Sequence, residues 1–336
     1  MRIVVAHSHL NTFGGGERAT LELIQRLRQR HAVTLWAGSY RPNATYAAFA
    51  DLPRRDLAPL DWLIRTPQAD AVVAHTFGAN LLALHHPHVI CYLHTLRSVY
   101  AQGGMRPDLV ARRALERCAL RSAPAILTNS AYTASRAGML YGLPRERIEV
   151  VPLGANETYF TISPTVGSYA LSVGRLAPEK GVERLLAWSA DLPLDLLIVG
   201  DGPADYVARL RRLSGPRVTF AGPLEGEALR EAYADCRFFA FLPYAEEFGL
   251  VALDALAAGK PVVAAREGGL AALVEDDVSG YLVSDEAAYR TAALRLLGDD
   301  ALCLRMGEAG RVQARAYSWD AYAARIEALC MAPQQA

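Results

Sequence analysis

The chain has 336 residues, 52% of them apolar and 21% charged, and its formal net charge is zero. This length predicts two domains, each large enough for its own hydrophobic core. The balanced charge argues against a nucleic-acid-binding protein, and no apolar run reaches the roughly 20 residues that a membrane span requires.

Cysteine usage and the N-terminus indicate a compartment. The five cysteines are scattered and never stand in C-x-x-C spacing, which argues against a disulfide framework and against a zinc site. The first residues, MRIVVAHSHL, enter a strand pattern at once and show no signal-peptide apolar segment. These features predict a cytoplasmic protein. The cysteines are Cys91, Cys118, Cys236, Cys303 and Cys330.

Charge is distributed unevenly between the two halves. Residues 1–160 carry 18 Arg against 11 acidic residues, whereas the remainder carries 17 basic against 24 acidic residues. A basic first half predicts an anionic partner, such as the inner face of a membrane that the protein contacts peripherally. Ordinary surface charge in an arginine-rich protein is the alternative.

Strand-like and helix-like segments alternate in the first half, which predicts a parallel sheet covered by helices. Helix 106–122 is rich in arginine and is compatible with a membrane surface or with a solvated face. A polar stretch without a clear period, NETYFTISPTVGS at 156–168, predicts a linker. The predicted strands are 2–8, 32–38, 71–76, 89–95, 125–130 and 148–154, and the helices are 17–29, 106–122 and 131–141.

The same alternation continues in the second half, so the fold class is α/β with two Rossmann-like parallel-sheet domains. Ligands of such sheets bind at the carboxyl ends of the strands, here expected in a central cleft that the two domains face. An amphipathic last helix, 318–331, could cap the second domain or cross back onto the first. The predicted strands are 169–176, 194–202, 218–223, 238–243, 261–265 and 280–283. The predicted helices are 181–190, 204–213, 225–236, 248–258, 286–297 and 300–315. The predicted organisation is a domain at 1–160, a domain at 161–316 and a final segment at 317–336.

The first strand leads into HSHLNTFGGGER, where three glycines precede a helix. Gly15 and Gly16 allow close backbone approach and, with the helix N-terminus, predict an anion-binding site. A bare flexible loop is the alternative. A dinucleotide-binding dehydrogenase is not indicated, because GGG replaces G-x-G-x-x-G and no acid follows the second strand.

The segment PYAEEFGLVALDALAAGKP (243–261) places acids around an apolar helix. Glu246 falls in the loop before the helix and Asp254 about a turn and a half into it. Between them the amides of Phe248, Gly249 and Leu250 form a helix start that favours a phosphate. Because carboxylates accept hydrogen bonds from vicinal hydroxyls, the pattern fits a nucleoside diphosphate sugar. Helix capping with a solvated Asp254 is the alternative.

The complete string E-x-F-G-x4-D, followed by A-x-A-x-G-x-P-V-V, resembles the signature of the GT4 family of retaining glycosyltransferases, which have the GT-B fold. SVGRLAPEKGVERLL resembles the family's G-R-L-x-x-x-K-G stretch, and this match implies that Arg175 and Lys180 bind the donor diphosphate. Two fixed cations neutralise the charge that develops on a departing diphosphate. Since no Asp-x-Asp pair ends a strand in the expected cleft, we expect turnover without a divalent metal or another cofactor.

The resemblance also implies roles for the other site residues. Glu246 would hold the transferred sugar, and Asp254, which replaces the family's usual Glu, would hold the ribose. Pro223, in the loop 221–224, would border the base. The donor phosphate would meet Gly15 and Gly16.

The first half supplies the acceptor side of the expected site. VICYLHTLRSVYAQ resembles the family's H-T-P-x-R-Y stretch, with Leu96 in place of proline, which implies that His94 contacts hydroxyls of the transferred sugar. The expected catalytic residues are thus Glu246, His94, Arg175 and Lys180. The acceptor-side candidates are His7, His9 and Arg97. The remaining histidines, His75, His85, His86 and His88, stay unassigned.

The resemblance therefore implies a retaining glycosyltransferase that moves a hexose-type sugar from a nucleoside diphosphate to a hydroxyl of a glycan, glycolipid or small-molecule acceptor. One alternative is another GT-B activity, either a sugar-nucleotide epimerase or a sugar phosphorylase. A second is a module that binds sugar nucleotides without turnover.

Overall fold

A computed structural model describes residues 1–96 and 107–333 of the chain. The chain forms two compact units. The first combines Met1–Gly154 with the chain from Ser318 onward, and the second is Ala155–Tyr317. The first unit therefore ends at Gly154, ahead of the boundary expected at 160. The last helix also belongs to the first unit.

The first unit is built on a seven-stranded sheet of order β3-β2-β1-β4-β5-β6-β7, and every neighbouring pair is parallel. Its strands are β1 (Arg2–His7), β2 (Ala32–Ala37), β3 (Arg54–Asp56), β4 (Ala71–Ala74), β5 (Val89–Leu93), β6 (Ala125–Thr128) and β7 (Ile148–Val150). Its first helices are α1 (Gly15–Leu27), α2 (Asp61–Ile64), α3 (Phe77–Asn80), α4 (Pro107–Ser122) and α5 (Ala131–Tyr141).

The second unit has a six-stranded parallel sheet of order β10-β9-β8-β11-β12-β13. Its strands are β8 (Tyr169–Val173), β9 (Asp195–Val199), β10 (Val218–Gly222), β11 (Cys236–Phe241), β12 (Val262–Ala265) and β13 (Gly280–Val283). Its helices are α6 (Val182–Ser189), α7 (Ala204–Leu213), α8 (Gly226–Ala234), α9 (Leu250–Ala257), α10 (Glu286–Gly298) and α11 (Asp300–Ala314). The last helix, α12 (Trp319–Met331), follows in the first unit.

Burial on both faces explains why the strands read as continuous apolar runs. All residues of β4 (AVVA), β5 (VICYL) and β12 (VVAA) are buried, as expected for parallel strands covered by helices on both sides. Both sheets reverse their strand order, at β1/β4 and at β8/β11. In open parallel sheets, ligands bind beside such a reversal at the carboxyl ends of the strands.

The predicted Rossmann-like parallel sheets are confirmed, but two kinds of element were missed. Edge strand β3 has the sequence RRD and lacks apolar residues, and helices α2 and α3 are only four residues long. Such short segments carry too little periodicity to be recognised from sequence. Within residues 1–96 and 107–333, no helix combines the length and the apolar character needed to span a bilayer.

The last helix packs against the first unit through polar and aromatic contacts. Arg26 of α1 donates to Asp320 at 2.6 Å, and Glu327 accepts from Arg30 and pairs with His31, both at 2.6 Å. The helix also presents Tyr322, whose ring lies edge-on to Tyr92 of β5. The helix therefore covers α1 and the middle of the first sheet.

Candidate active site

The carboxyl edge of the second sheet brings together two of the predicted catalytic side chains. Lys180 ends the short turn Pro178–Lys180 after β8, and Glu246 lies in the loop after the neighbouring strand β11. The Lys180 ammonium donates to Glu246 Oε2 at 2.7 Å, with only 23% and 13% of the two side chains exposed. The sheet reversal therefore presents a shielded cation and a carboxylate side by side.

Backbone packing holds the two loops together. Gly181 has a φ of +69°, and a Cβ built on it would lie 1.8 Å from the Leu242 carbonyl oxygen. The Tyr244 amide donates to the Glu179 carbonyl at 2.9 Å. Arg184 of α6 donates to the carbonyl of Leu242 at 2.6 Å. A side chain at position 181 would thus force the Lys180 loop away from the Glu246 loop.

Glu246 sits in a constrained stretch of backbone. Ala245, just before it, has a φ of +53°, a conformation that costs a non-glycine residue about 1 kcal/mol or more. The Glu246 carbonyl accepts from the amide of Gly269 at 2.7 Å. A Cβ on Gly268 would come within 2.2 Å of that same carbonyl oxygen. The surrounding loops therefore fix the backbone that aims this carboxylate.

Arg175, the other predicted cation, has a different partner. It donates to Glu179 at 2.9 Å, and its side chain is 58% exposed. The structure thus pairs Lys180 with Glu246 and pairs Arg175 with a carboxylate of the same loop. The predicted interaction of Arg175 with a diphosphate stays a prediction.

Helix α9 begins at Leu250, after the N-cap Gly249 with a φ of +97°. Phe248 is buried and its ring contacts Tyr317 edge-on at 6.0 Å between centroids, so its side chain packs in the core. Phe248, Gly249 and Leu250 can therefore meet a ligand through their backbone amides, as the sequence predicts for a phosphate at this helix start. Pro223 is exposed directly after β10.

Asp254 has a partner within the protein. Its Oδ1 accepts the amide of Asn156 at 3.2 Å, just before the short turn Glu157–Thr161. The carboxylate therefore helps to hold the segment that leads into the second unit. A carboxylate has several acceptor positions, so this contact leaves the predicted ribose contact as a prediction.

In the first unit, the glycine loop leads to an acid, Glu17, that is not among the predicted site residues. Gly14 is the N-cap of α1, and Glu17 lies buried in the first turn. Thr12 donates to Glu17 Oε1 at 2.6 Å, and a Cβ on Gly14 would meet Glu17 Oε2 at 2.5 Å. A carboxylate is stabilised at a helix N-terminus. The spacing of Gly14 and Glu17, N-cap to third helical residue, was the signal available in the sequence.

Three buried imidazoles meet at the carboxyl edge of the first sheet. His7 ends β1, His75 follows β4, and His94 follows β5, which are consecutive strands in the sheet. Ring centroids of His75 and His94 are 4.9 Å apart, and those of His7 and His75 are 6.5 Å apart. His7 and His94 are among the residues predicted for the site, whereas His75 carries no prediction.

Burial keeps these imidazoles neutral. Desolvation lowers the pKa of His94 to about 3, and it holds the pKa of His7 and of His75 well below the ordinary value. The His94 carbonyl accepts from Asn129 Nδ2 at 2.9 Å. His9 is exposed, whereas Arg97 lies outside the described residues. Within the described chain, no group of three His, Cys, Asp or Glu side chains has the arrangement of a metal site.

Two family models match the chain. Glycosyl transferases group 1 matches residues 162–313, and Glycosyltransferase Family 4 matches residues 13–159. The two ranges together take in most of both units. The chain belongs to the family 4 glycosyltransferases.

Curated relatives and solved structures agree with this assignment. This glycosyltransferase is 34% identical over 258 residues to a Nocardia farcinica protein named D-inositol 3-phosphate glycosyltransferase. It is 32% identical over 269 residues to a protein of that name from Corynebacterium efficiens. These matches cover 67% and 70% of this chain but only 57% and 63% of the relatives, so the chain spans about three fifths of their length.

The structural likeness extends over nearly the whole chain. The crystal structure of Anabaena Alr3699/HepE with UDP has a TM-score of 0.82 at 20% identity and covers 98% of this chain and 99% of its own. That of WaaG, a glycosyltransferase involved in lipopolysaccharide biosynthesis, has a TM-score of 0.75 at 17% identity, with coverage of 98% and 100%. The fold is therefore GT-B.

Proposed function

We propose that this glycosyltransferase transfers a hexose-type sugar from a nucleoside diphosphate to a hydroxyl acceptor, with retention at the anomeric carbon. The observation that carries the proposal is the Lys180–Glu246 pair at the reversal of the second sheet. An ammonium at this edge neutralises the departing diphosphate, and the neighbouring carboxylate accepts hydrogen bonds from sugar hydroxyls.

In the proposed reaction, one bond at the anomeric carbon breaks and another forms in its place. The bond between the anomeric carbon and the diphosphate oxygen breaks, and the acceptor oxygen forms a new bond on the same face of the sugar. The acceptor's proton passes to an oxygen of the leaving diphosphate. Lys180 stabilises the charge that develops there, while Glu246 orients the sugar through its hydroxyls.

Uridine donors are the first to test, because Anabaena Alr3699/HepE has been crystallised with UDP and with UDP-glucose. Inositol phosphate is the first acceptor to test, because the curated relatives are named D-inositol 3-phosphate glycosyltransferase. An anionic acceptor also suits the arginine excess of residues 1–160.

The deciding experiment compares UDP-, GDP-, ADP- and dTDP-sugars by thermal shift and then follows transfer of the best binder by NMR. A ligand that binds the folded state raises the melting temperature. We expect a product with the donor's anomeric configuration. An inverted product contradicts retention. Epimerised nucleotide sugar, or turnover that needs inorganic phosphate, supports the other GT-B activities, and donor binding without turnover on any acceptor supports a non-catalytic module.

We further propose that turnover needs no divalent metal, because lysine, arginine and a helix N-terminus are available for the phosphates. The rate should be unchanged after treatment with EDTA and dialysis. Loss of activity that magnesium or manganese restores contradicts this proposal.

Peripheral contact with an anionic membrane is the last part of the proposed function. Helix α2 buries Trp62, whereas Leu60 just before the helix and Ile64 at its end are 71% and 73% exposed, and Arg65 follows. Exposed apolar residues flanked by arginine suit the surface of an anionic bilayer. The wild type should float with phosphatidylglycerol vesicles, and the variant Leu60→Ser/Ile64→Ser should not. Equal flotation of both proteins contradicts this surface assignment.

A further inference from the structure

The imidazole cluster of the first unit contains nitrogen atoms without partners. His7, His75 and His94 are each at most 8% exposed. Within the described residues, His7 Nε2, His75 Nε2 and His94 Nδ1 are buried and accept or donate no hydrogen bond. Buried polar atoms are rarely left unpaired, and exceptions are frequent at functional sites. The hydrogen bonds around the cluster indicate which ring nitrogen of each neutral histidine carries the proton.

The hydroxyl of Thr20 in α1 contacts both the Gly16 carbonyl and the His75 ring. The hydroxyl donates to the Gly16 carbonyl at 2.9 Å and lies 2.7 Å from His75 Nδ1. A hydroxyl has one proton, so a hydroxyl that donates to Gly16 can only accept from the imidazole. In this arrangement His75 carries its proton on Nδ1, and its Nε2 is an unprotonated acceptor.

The same logic extends to His94. His94 Nε2 lies 3.3 Å from His75 Nδ1, which already carries a proton. Two N–H groups cannot face each other at this distance, so His94 Nε2 is unprotonated. The neutral ring then carries its proton on Nδ1, the nitrogen that has no partner within the described chain.

His7 provides a second donor beside the same glycine. Its Nδ1 accepts from the amide of His9 at 3.4 Å, which places the proton of the neutral ring on Nε2. A Cβ built on Gly16 would lie 3.6 Å from His7 Nε2 and 3.6 Å from His94 Cγ. The His7 Nε2–H and the Cγ–Cδ2 edge of the His94 ring thus lie beside Gly16 at the start of α1.

We propose that Thr20 and His75 are positioning residues that hold His94 as a neutral imidazole with its proton on Nδ1. In this form His94 donates a hydrogen bond to an oxygen of the substrate, a sugar hydroxyl or a phosphate, and it does not act as a general base through Nδ1. The substrate contact rests on the proposed transferase function, whereas the tautomer follows from contacts within the first unit.

The test is long-range ¹H–¹⁵N NMR of the histidine rings, with resonances assigned through His75→Gln and His94→Gln. In the wild type we expect a protonated Nδ1 and an unprotonated Nε2 for both His75 and His94. Thr20→Val should shift His75 and His94 toward a mixture of tautomers, and Thr20→Ser should retain the wild-type pattern. A protonated Nε2 in wild-type His94, or an unchanged pattern in Thr20→Val, overturns the proposal.

Thr45→Val is the matched control. Thr45 is also buried in the first unit, and its hydroxyl has no partner within the described residues. Its replacement should leave the imidazole signals unchanged. Equal changes in Thr45→Val and Thr20→Val would show a general packing effect and would overturn the specific role of Thr20.

Kinetics separates this proposal from the proposed function. Thr20→Val should lower kcat about tenfold, the size expected for one hydrogen bond, with donor affinity unchanged, and Thr20→Ser should restore the rate. If the wild type shows the expected tautomers but transfers no sugar, the proposed function fails and the tautomer assignment stands. If transfer occurs but Thr20→Val is fully active, the positioning role fails.

Discussion

At the residue scale, Glu246 and Asp254 have different hydrogen-bond partners within the protein. Glu246 pairs with Lys180, whereas Asp254 accepts from the Asn156 amide. Glu246→Gln should lower turnover by about 10- to 100-fold, because a charged hydrogen bond to the sugar is lost. The affinity of the Glu246→Gln variant for free UDP should stay equal or increase, because the Lys180 ammonium then has no carboxylate partner and is available for the diphosphate. Rate assays and UDP titrations measure the two effects.

Asp254→Asn should behave differently. The amide oxygen still accepts from Asn156, so the fold is retained, but the charged contact to a ribose is lost. We expect UDP and UDP-sugar to bind more weakly by the same amount, about 1–3 kcal/mol. Calorimetric titration of both ligands against both variants checks this. Equal weakening of UDP binding by Glu246→Gln and Asp254→Asn would disprove the assignment of the two acids.

Glu116 provides a stability prediction in the first unit. It is 2% exposed, and burial raises its pKa to about 7, against opposing hydrogen bonds from Tyr141 at 2.5 Å and Asn80 at 3.2 Å. Between its ordinary pKa and pH 7 the folded state keeps a proton that the unfolded state has lost. The free energy of unfolding should therefore fall as pH rises through this window, by about 3 kcal/mol in all.

The variant Glu116→Gln should remove this part of the pH dependence. Urea unfolding at pH 5 and pH 8 measures it, with tryptophan fluorescence as the signal, since Trp36, Trp62 and Trp319 lie in the first unit and Trp188 alone lies in the second. We expect a smaller loss of stability between the two pH values in the variant than in the wild type. Identical slopes would show that Glu116 ionises normally.

Individual site residues could be predicted from sequence more readily than their partners. Glu246, Lys180 and His94 stand in recognisable motifs at strand ends. The Lys180–Glu246 contact joins residues 66 positions apart, and the contact between Thr20 and His75 joins residues 55 apart. Such contacts depend on which strands and helices become neighbours, and no local pattern carries that information. His75 stayed unassigned for this reason.

At the element scale, close backbone packing joins the loops after β8 and β11. Gly181→Ala would place a methyl group 1.8 Å from the Leu242 carbonyl oxygen, at a φ of +69°. We expect a loss of about 1–3 kcal/mol in the free energy of unfolding and a larger loss of activity, because Lys180 and Glu246 move apart. Denaturant unfolding and rate assays measure these quantities.

Gly215→Ala is the control for this experiment. Gly215 lies outside the strands and helices of the second unit, and a Cβ there would meet no atom within 4 Å. It should leave activity unchanged and stability nearly so. Wild-type activity in Gly181→Ala would show that the two loops need not stay in contact for function.

The elements themselves follow from the sequence where they are long and periodic. Helix α9 and its preceding strand were predicted within two or three residues, because an apolar run ends at Pro243 and a glycine begins the helix. Strand β3 was missed because Arg54 and Arg55 give this edge strand no apolar pattern, although it pairs in parallel with β2. The pairing of β3 depends on the position of β2, and the local sequence of β3 does not specify that position.

At the scale of the whole molecule, the two units differ in how the chain builds them. Ala155–Tyr317 is continuous, whereas the first unit needs the last helix to return to it. Arg325 of α12 donates to both carboxylate oxygens of Glu149, at 2.6 and 2.8 Å. A Cβ on Gly154 would lie 2.3 Å from the Trp319 amide nitrogen, so the chain passes directly against the start of α12.

This asymmetry predicts different behaviour for the two fragments. Fragment 155–317 contains a complete sheet and its covering helices, so it should fold alone and unfold cooperatively on heating. Fragment 1–154 lacks the last helix, whose Trp319 and Tyr322 are buried in the intact protein. The surface that this helix covers should become exposed, and the fragment should aggregate or unfold.

Adding a peptide of residues 318–333 to fragment 1–154 should restore cooperative unfolding, which circular dichroism follows. A peptide with Trp319→Ala and Tyr322→Ala should fail to do so, because its aromatic contacts are lost. If fragment 1–154 melted cooperatively without any peptide, the last helix would be an accessory of the first unit and not part of its core.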